Sequence, residues 1–285
     1  MRIAVLGTGL MGAPIARRLA EAGHDIHAWN RTTEKCEGLG ATVAAEPGTA
    51  VEDAEVVITM LADRPSVDET MRTALADGRP RPAAVWFQMS TVGVDWTRRL
   101  AELAGEHGLL YVDSPVLGTR KPAEEGQLAA LVSGPEAARP VVDEVLPAIT
   151  RKAVWLGEDV GAASTLKLVL NHWTLITIEN VVETIAIAEA LGIDPERFLE
   201  SITGGGMDMP YAHQKTASIT AGDFTPSFTV NLAEKDVGLI VAAARAAGIE
   251  PSLAEATRNR LRQAIELGHG DDDLTATYLA ARSDG

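Results

Sequence analysis

The sequence has 285 residues, of which 46% are hydrophobic and 23% charged, a composition typical of folded globular proteins and not of disordered chains. The formal net charge of −15, without a basic run, argues against nucleic acid as a partner. A single cysteine, Cys36, and an N-terminus without a signal-peptide pattern favour a cytoplasmic location. The most apolar segment, Leu166 to Leu191, contains several charged and amide side chains, so we expect no membrane span.

Short apolar runs alternate with helical patterns in the first half of the chain. The runs predict strands at Ile3–Leu6, Asp25–Trp29, Val56–Leu61, Val85–Gln88, Leu109–Val112, Leu128–Val132 and Ala153–Leu156. Because strands and helices alternate, we predict a parallel sheet flanked by helices.

The first strand runs into a glycine-rich turn, Gly7-Thr8-Gly9-Leu10-Met11-Gly12, which a predicted helix follows. A G-x-G-x-x-G pattern between a strand and a helix is typical of dinucleotide-binding domains. Gly7 allows the tight turn, Gly9 lets the backbone approach a pyrophosphate, and Gly12 lets the helix pack close to the strand. The pyrophosphate would lie at the helix N-terminus. The pattern therefore predicts a Rossmann-type domain.

The residues after the second strand indicate which dinucleotide binds. An NAD site usually has Asp or Glu there, about 20 residues after the glycine turn, to bind the ribose 2′-hydroxyl. This sequence has Asn30, Arg31 and Thr32 instead. An arginine can pair with the 2′-phosphate of NADP(H), and Thr32 can donate a further hydrogen bond. We therefore expect NADP(H); the alternative is that Arg31 is a solvated surface charge.

The second half of the sequence has a different pattern. From Ala162 onward it contains only helical periods, separated by Gly and Pro, and the first helix extends to about Leu191. At 1.5 Å per residue this helix would be roughly 45 Å long. We predict an α/β fold in which residues 1–160 form a doubly wound parallel sheet that binds NADP(H). Residues 161–285 would form an all-helical domain for substrate binding and dimerisation.

Two polar residues lie one turn apart in the long apolar helix. Lys167 and Asn171 are four residues apart and share a face among leucine, valine and tryptophan side chains. Burial of a lysine lowers its pKa toward the range useful for proton transfer. Lys167 is therefore a candidate general acid and base. The alternative is a lysine whose ammonium reaches solvent from an apolar face.

Six motifs occur along the chain in a fixed order. They are the glycine turn with Met11, Asn30-Arg31-Thr32, Met89-Ser90-Thr91-Val92, Asp113-Ser114-Pro115-Val116, Gly161 through Lys167 to Asn171, and Lys235-Asp236. Together they resemble the β-hydroxyacid dehydrogenases, relatives of 6-phosphogluconate dehydrogenase, over essentially the whole chain. Within that family the glyoxylate and succinic semialdehyde reductases are the most similar, because their substrate loop resembles Lys121 to Leu128.

The resemblance implies a role for several of these residues. Lys167 would be the catalytic acid and base, with Asn171 as its helper, and the turn from Val116 to Thr119 would bind a substrate carboxylate. The cofactor-binding residues we expect are Gly7, Gly9, Leu10, Met11, Gly12, Asn30, Arg31, Thr32, Leu61, Thr91 and Lys235. The substrate-binding residues we expect are Leu117, Gly118, Thr119 and Asp236. The alternative for Lys235 and Asp236 is an exposed charge pair whose side chains point in different directions.

One residue departs from the family pattern. Where the family usually has Ser in Pro-Val-Ser-Gly, to bond the substrate carboxylate, this sequence has Leu117. A hydrogen bond to a charged group is worth about 1.5–3 kcal/mol, so the change weakens the case for the usual small acid substrate. A bulkier or less polar carbonyl compound, or an imine, becomes plausible. Imine reductases share this architecture but generally lack a lysine at the position of Lys167.

The sequence thus predicts an NADP(H)-dependent oxidoreductase that transfers a hydride between nicotinamide and a small hydroxy acid or semialdehyde-type carbonyl compound. An imine or ketone reductase and a non-catalytic NADP-binding sensor are the alternatives. We expect no metal, since the histidines show no ligand spacing. The apolar surface of the predicted helices exceeds what a small domain can cover, so we expect a homodimer or homotetramer.

Overall fold

The computed structural model describes residues 1–282 and divides the chain into two compact units. Unit 1 extends from Met1 to Lys167, and unit 2 begins at Leu168. The division lies inside a long helix, Ala162–Ala190, a few residues after the boundary expected between residues 160 and 161.

Strands and helices alternate in unit 1. The strands are β1 (Arg2–Leu6), β2 (Asp25–Trp29), β3 (Thr42–Val43), β4 (Val56–Thr59), β5 (Val85–Gln88), β6 (Leu110–Asp113), β7 (Val116–Leu117), β8 (Leu128–Val132) and β9 (Thr150–Trp155). The α-helices are α1 (Gly12–Glu21), α2 (Pro47–Val51), α3 (Arg64–Asp77), α4 (Val94–Glu106), α5 (Arg120–Glu124) and α6 (Arg139–Val145). Short 3-10 helices occupy Thr33–Cys36, Glu136–Ala138 and Leu146–Ala148.

A six-stranded sheet with the order β3-β2-β1-β4-β5-β6 forms the centre of unit 1. Every neighbouring pair in it is parallel. β2 and β3 extend the sheet on one side of β1, and β4, β5 and β6 extend it on the other side. This order confirms the predicted doubly wound parallel sheet, and it places the change of direction between β1 and β4.

The sheet is buried on both faces because its strands are apolar at successive positions. Ile3 and Val5 of β1 pack into one core with Ile15 and Leu19 of α1. Ala4 and Leu6 pack into a second core on the other face, with side chains of α3 and α4. Alternate residues of a strand point to opposite faces, so continuous apolar runs are what a sheet with helices on both sides requires.

The last strands of unit 1 do not join this sheet, which corrects the prediction of one parallel sheet. β7, β8 and β9 form a separate three-stranded sheet in which β7 and β8 are antiparallel. Pro115 follows β6 and has no amide N–H, so pairing with β5 stops there and the chain turns into β7. The apolar run of β8 has the same pattern in either sheet, which is why the sequence did not distinguish them.

Two other details differ from the sequence prediction. The fourth strand ends at Thr59 and not at Leu61, because the Leu61 amide donates to the Ser90 hydroxyl at 2.8 Å instead of a neighbouring strand. The two-residue strand β3 was missed, and both of its residues are exposed.

The regular elements in the described part of unit 2 are helices, apart from one isolated β-bridge between Thr229 and Asp273. Its α-helices are the C-terminal part of α7 (Ala162–Ala190), α8 (Pro195–Ile202), α9 (Pro210–Ala221), α10 (Val230–Ala246), α11 (Ser252–Glu266) and α12 (Thr277–Ala281), with a 3-10 helix at Leu274–Ala276. No helix within residues 1–282 has the length and the apolar run needed to cross a bilayer.

Candidate active site

The residues predicted to bind the cofactor follow the carboxyl ends of parallel strands. Gly7 comes after β1, Arg31 after β2, Leu61 after β4 and Thr91 after β5. Since carboxyl ends of parallel strands meet at one edge of a sheet, unit 1 brings these positions to the same edge. Ligands of doubly wound sheets bind at this edge, where the strand order reverses.

The glycine turn can be built only with glycine at two of its positions. Gly7 has a φ of +100°, and a Cβ there would lie 2.4 Å from the carbonyl oxygen of Met60. A Cβ on Gly12 would lie 1.8 Å from the carbonyl oxygen of Gly7. Gly9 is exposed, and a Cβ there would meet no atom within 4 Å. The turn is therefore tight on its inner side and open at Gly9, as a backbone that approaches a pyrophosphate requires.

The N-terminus of α1 suits an anion for a second reason. The residue that precedes the helix, Met11, makes no side-chain cap, and the first turn contains no acidic residue. The first N–H groups of a helix have no acceptor within the helix and carry partial positive charge. These features fit the phosphates of a dinucleotide.

Asn30 joins the glycine turn to the segment after β2. Its Oδ1 accepts from the Thr8 amide at 3.2 Å, and its Nδ2 donates to the Thr32 carbonyl at 3.1 Å. The Thr8 hydroxyl lies 3.3 Å from the buried Sγ of Cys36. Asn30 therefore holds the two segments together, while Arg31 and Thr32 remain exposed. Sequence reasoning placed Asn30 among the cofactor contacts but gave it no such linking role.

The two loops after β4 and β5 are fixed by a buried amide. Gln88 donates from Nε2 to the Ser90 carbonyl at 2.7 Å and accepts from the Ser90 amide at 2.7 Å. The Ser90 hydroxyl in turn accepts a hydrogen bond from the Leu61 amide. Leu61 lies against the glycine turn, because a Cβ on Gly7 would be 2.8 Å from its Cδ2. Thr91, next to Ser90, is half-buried.

Lys167 lies on α7 and is half-buried. Its Nζ donates to the carbonyl oxygen of Val116 at 2.8 Å. Val116 begins the turn 116–119, in which Leu117 and Thr119 are half-buried and Gly118 has a φ of +116°. A Cβ on Gly118 would lie 2.9 Å from Leu128 Cδ2. Unit 1 therefore brings the predicted lysine and the predicted substrate turn together.

The predicted residues of unit 2 form a second group. Asn171, one helical turn beyond Lys167, is buried, and its Nδ2 donates to Asp236 Oδ2 at 2.7 Å. Lys235 Nζ lies 3.0 Å from Asp236 Oδ1, and the two side chains are 25% and 6% exposed. The alternative of an exposed pair whose side chains diverge is therefore wrong. Asn171, Lys235 and Asp236 are one hydrogen-bonded and charged group.

The structure also shows buried charges that sequence reasoning missed. Asp113, at the end of β6, accepts two hydrogen bonds from Ser164 in the first turn of α7. In unit 2, Lys215 pairs with Asp273 at 3.1 Å, and both side chains are buried. Asp273 also caps the 3-10 helix Leu274–Ala276, because its side chain accepts a hydrogen bond from the Thr275 amide.

Metal ions do not enter this description. Within residues 1–282, no group of three or more His, Cys, Asp or Glu side chains is arranged to hold a metal ion.

Comparison with known proteins covers both units. Residues 2–157 match the family described as the NAD binding domain of 6-phosphogluconate dehydrogenase, and residues 161–280 match the one described as NAD-binding of NADP-dependent 3-hydroxyisobutyrate dehydrogenase. The oxidoreductase YfjR of Bacillus subtilis is 32% identical over 97% of this chain and 98% of its own length. Glyoxylate/succinic semialdehyde reductase 2, chloroplastic, of Arabidopsis thaliana is 28% identical over 99% of this chain and 79% of its own. The 3-hydroxyisobutyrate dehydrogenase of Mycobacterium tuberculosis, solved with L-serine, is 30% identical, with a TM-score of 0.85 over 99% of both chains.

The fold, the glycine turn and these matches define an NAD(P)-dependent hydroxyacid dehydrogenase or reductase. The chain belongs to the β-hydroxyacid dehydrogenase family.

Proposed function

We propose that this enzyme uses NADP(H) to interconvert a small hydroxy acid and a semialdehyde-type carbonyl compound, with Lys167 as general acid and base. The observation that carries the proposal is the hydrogen bond from Lys167 Nζ to the carbonyl of Val116. In support of the proposal, this bond keeps the Lys167 ammonium beside Val116, the first residue of the turn that we assign to the substrate.

Two features favour NADP(H) over NAD(H). Asn30 holds the segment after β2 against the glycine turn, which leaves the Arg31 guanidinium exposed beside the expected 2′-position. An exposed arginine can form a bidentate, charge-assisted pair with a phosphate. The family that matches residues 161–280 is described by an NADP-dependent enzyme.

When bound, NADP(H) would supply the hydride for reduction and accept it in oxidation. In reduction, the Lys167 ammonium donates a hydrogen bond to the carbonyl oxygen, stabilises the negative charge that develops there, and transfers a proton to it. In oxidation, the neutral amine takes that proton from the hydroxyl group. We propose that Asn171 orients the reacting groups. Its amide nitrogen donates a hydrogen bond to Asp236, which fixes the side chain.

Leu117 limits the choice of substrate. It stands where the family usually has a serine, so the turn 116–119 offers one hydroxyl fewer to a carboxylate, and Thr119 is the hydroxyl that remains. A substrate whose carboxylate is weakly recognised, or a less polar ketone or imine, fits this turn. An imine or ketone reductase is therefore the second candidate function, and Leu117 is the observation that favours it.

We also propose that the enzyme is a homodimer or homotetramer assembled through unit 2. Several large apolar side chains of this unit are exposed: Val169 (61%), Trp173 (70%), Ile187 (52%), Leu191 (75%) and Leu253 (65%). Trp173 and Leu253 line a groove of about 580 Å³ between α7 and α11. Exposed apolar patches of this kind typically mark subunit interfaces.

A substrate screen tests the proposed reaction. Purified enzyme with NADPH is supplied with small oxo acids, semialdehydes, ketones and cyclic imines, and the loss of absorbance of the reduced cofactor is followed. We expect the highest kcat/KM with a semialdehyde or oxo acid. A preference for cyclic imines would support the second candidate, and turnover with none of the four classes would contradict both.

A further inference from the structure

A buried carboxylate connects the end of β6 to the first turn of α7. Asp113 is fully buried. Its Oδ2 accepts from the backbone N–H of Ser164 at 2.8 Å, and its Oδ1 accepts from the Ser164 hydroxyl, also at 2.8 Å. The N–H groups of a first helical turn have no acceptor inside the helix, so Asp113 satisfies one that would otherwise be buried and unpaired.

Two further contacts hold the same turn. The hydroxyl of Ser133, just after β8, accepts from the Ala163 amide at 3.2 Å, and Ser133 and Asp113 exchange two backbone hydrogen bonds of 2.9 Å. The Thr97 hydroxyl of α4 lies 3.0 Å from the Ser164 hydroxyl. The start of α7 is therefore attached to three elements of unit 1.

The Asp113 carboxyl accepts hydrogen bonds through both of its oxygens. Burial raises the pKa of its carboxyl to about 6, and the two hydrogen bonds from Ser164 oppose that rise. A negative charge beside a helix N-terminus is stabilising, and hydrogen bonds to a charged acceptor are stronger than neutral ones. The carboxylate thus holds the helix start more firmly than a neutral side chain of the same shape.

The segment that contains Asp113 also contacts Lys167. Val116, three residues after Asp113, accepts the hydrogen bond from Lys167 Nζ. Lys167 is three residues after Ser164, which is about one turn of α7. Residues 113–116 therefore contact α7 at two points, at its first turn and at the lysine.

We propose that Asp113 is a positioning residue for the reaction: by holding the first turn of α7, it fixes the Lys167 ammonium relative to the turn 116–119. The inference rests on the proposed role of Lys167 as acid and base. Both Asp113 oxygens are occupied by Ser164, so Asp113 acts through the helix and exchanges no proton with the substrate.

The primary test is Asp113→Asn, which keeps the shape and removes the charge. We expect kcat to fall about 10-fold to 100-fold, because small misplacements of a catalytic group have effects of this order, while NADPH affinity changes little. Backbone amides 163–165 should exchange hydrogen faster than in the wild type. The matched control is Glu179→Gln, which neutralises another buried carboxylate of α7 and should leave kcat unchanged. Wild-type kcat in Asp113→Asn would overturn the inference.

A double mutant separates this inference from the proposed function. If Asp113 acts through Lys167, Asp113→Asn should lower kcat much less in the Lys167→Met background than in the wild type. An equal loss in both backgrounds would overturn the positioning role. Wild-type turnover of Lys167→Met alone would instead refute the proposed function. The two failures are therefore distinguishable.

A second pair of variants covers the case in which Asp113→Asn does not fold. Ser164→Ala removes one of the two hydrogen bonds to the carboxylate, and Ser164→Thr retains it. We expect Ser164→Ala to lower kcat and Ser164→Thr to restore it. Wild-type kcat in a folded Ser164→Ala would overturn the inference.

Discussion

We assign selectivity in the proposed reaction to two side chains of unit 1, Arg31 and Leu117. Arg31 is exposed at the carboxyl end of β2, and among the described residues nothing forms a hydrogen bond or an ion pair with its guanidinium. Leu117 is half-buried in the turn that begins at the Lys167 contact. The first is available to a cofactor phosphate, and the second adjoins the position proposed for the substrate.

Arg31→Ala tests the choice of cofactor. We expect the NADPH dissociation constant to rise about 10-fold to 100-fold, because a charge-assisted hydrogen bond contributes roughly 1.5–3 kcal/mol, while NADH affinity stays the same. Fluorescence titration with each cofactor measures both constants. Lys35→Ala, which removes another exposed cation from the same segment, is the control and should change neither. Equal affinities of the wild type for NADPH and NADH would contradict the assignment.

Leu117→Ser tests the substrate turn. The new hydroxyl should improve kcat/KM for small oxo acids by about 10-fold, since it restores a hydrogen bond to a charged acceptor. Activity with uncharged ketones should not rise. Leu117→Val, which keeps the position apolar, controls for the change in size. If the serine and valine variants respond alike, residue 117 does not contact the substrate carboxylate.

At this scale the sequence revealed local requirements and missed distant ones. Gly7 and Gly12 were predictable because the space they need is set by a few neighbouring residues. The contact of Asp113 with Ser164 was not, because 51 residues separate the two and no local pattern shows that an aspartate will be buried against a helix start. The pairing of Lys215 with Asp273, separated by 58 residues, was hidden for the same reason.

At the level of whole elements, α7 combines an apolar sequence with a few buried polar groups. In its unit 2 part, Glu179 is 9% exposed, and its Oε1 accepts from the Thr277 hydroxyl at 2.6 Å. Burial raises the pKa of Glu179 to about 7, with Glu183 adding to the rise and the Thr277 hydrogen bond and Arg260 acting against it. The helix therefore contains a carboxyl that gains a proton more easily in the folded state.

Glu179→Gln tests this effect on stability. A carboxyl whose pKa is raised on folding stabilises the protein below its ordinary pKa of 4.5, and this contribution is lost as the pH rises through about 7. Glutamine keeps an acceptor for Thr277 and does not titrate. The variant should therefore gain stability relative to the wild type over this pH range, by about 3 kcal/mol at most. Denaturant unfolding at several pH values measures it, with the exposed Glu266→Gln as control; a difference that does not depend on pH would contradict the burial effect.

The sequence predicted whether a segment forms a strand or a helix more reliably than it predicted which strand lies beside it. Apolar runs predicted most strands of unit 1, and helical periods predicted the helices of unit 2. The second sheet was missed because every residue of β8 is buried, and a continuous apolar run does not specify which strand lies beside it. The strand β3 was missed because two exposed residues give no hydrophobic pattern.

At the scale of the molecule, the exposed apolar side chains of unit 2 are the feature that a single chain does not explain. Val169, Trp173 and Ile187 lie on α7, Leu191 directly follows it and Leu253 lies on α11; Trp173 is the largest of these side chains. We expect a second copy of the chain to bury this surface in a subunit interface, because most homo-oligomers use the same patch on both subunits.

Trp173→Glu tests this assembly. Burial of an unpaired carboxylate in an apolar subunit interface is strongly unfavourable, so the interface of the variant should dissociate. We therefore expect the variant to sediment as a smaller species than the wild type. Val43→Glu introduces the same charge at an exposed apolar residue of unit 1 and should leave the sedimentation coefficient unchanged. A wild-type monomer at micromolar concentration would contradict the assembly.

The turnover of Lys167→Met tests the account of this enzyme most directly. The substitution removes the amine and keeps much of the apolar stem, so kcat should fall about 10²-fold to 10⁴-fold, the usual contribution of a general acid. NADPH affinity should stay near the wild-type value, because we assign cofactor binding to the glycine turn and Arg31, elsewhere in unit 1. Lys152→Met, at an exposed position of β9, should match the wild type in both measurements. A Lys167→Met enzyme with wild-type kcat on its preferred substrate would contradict the mechanism.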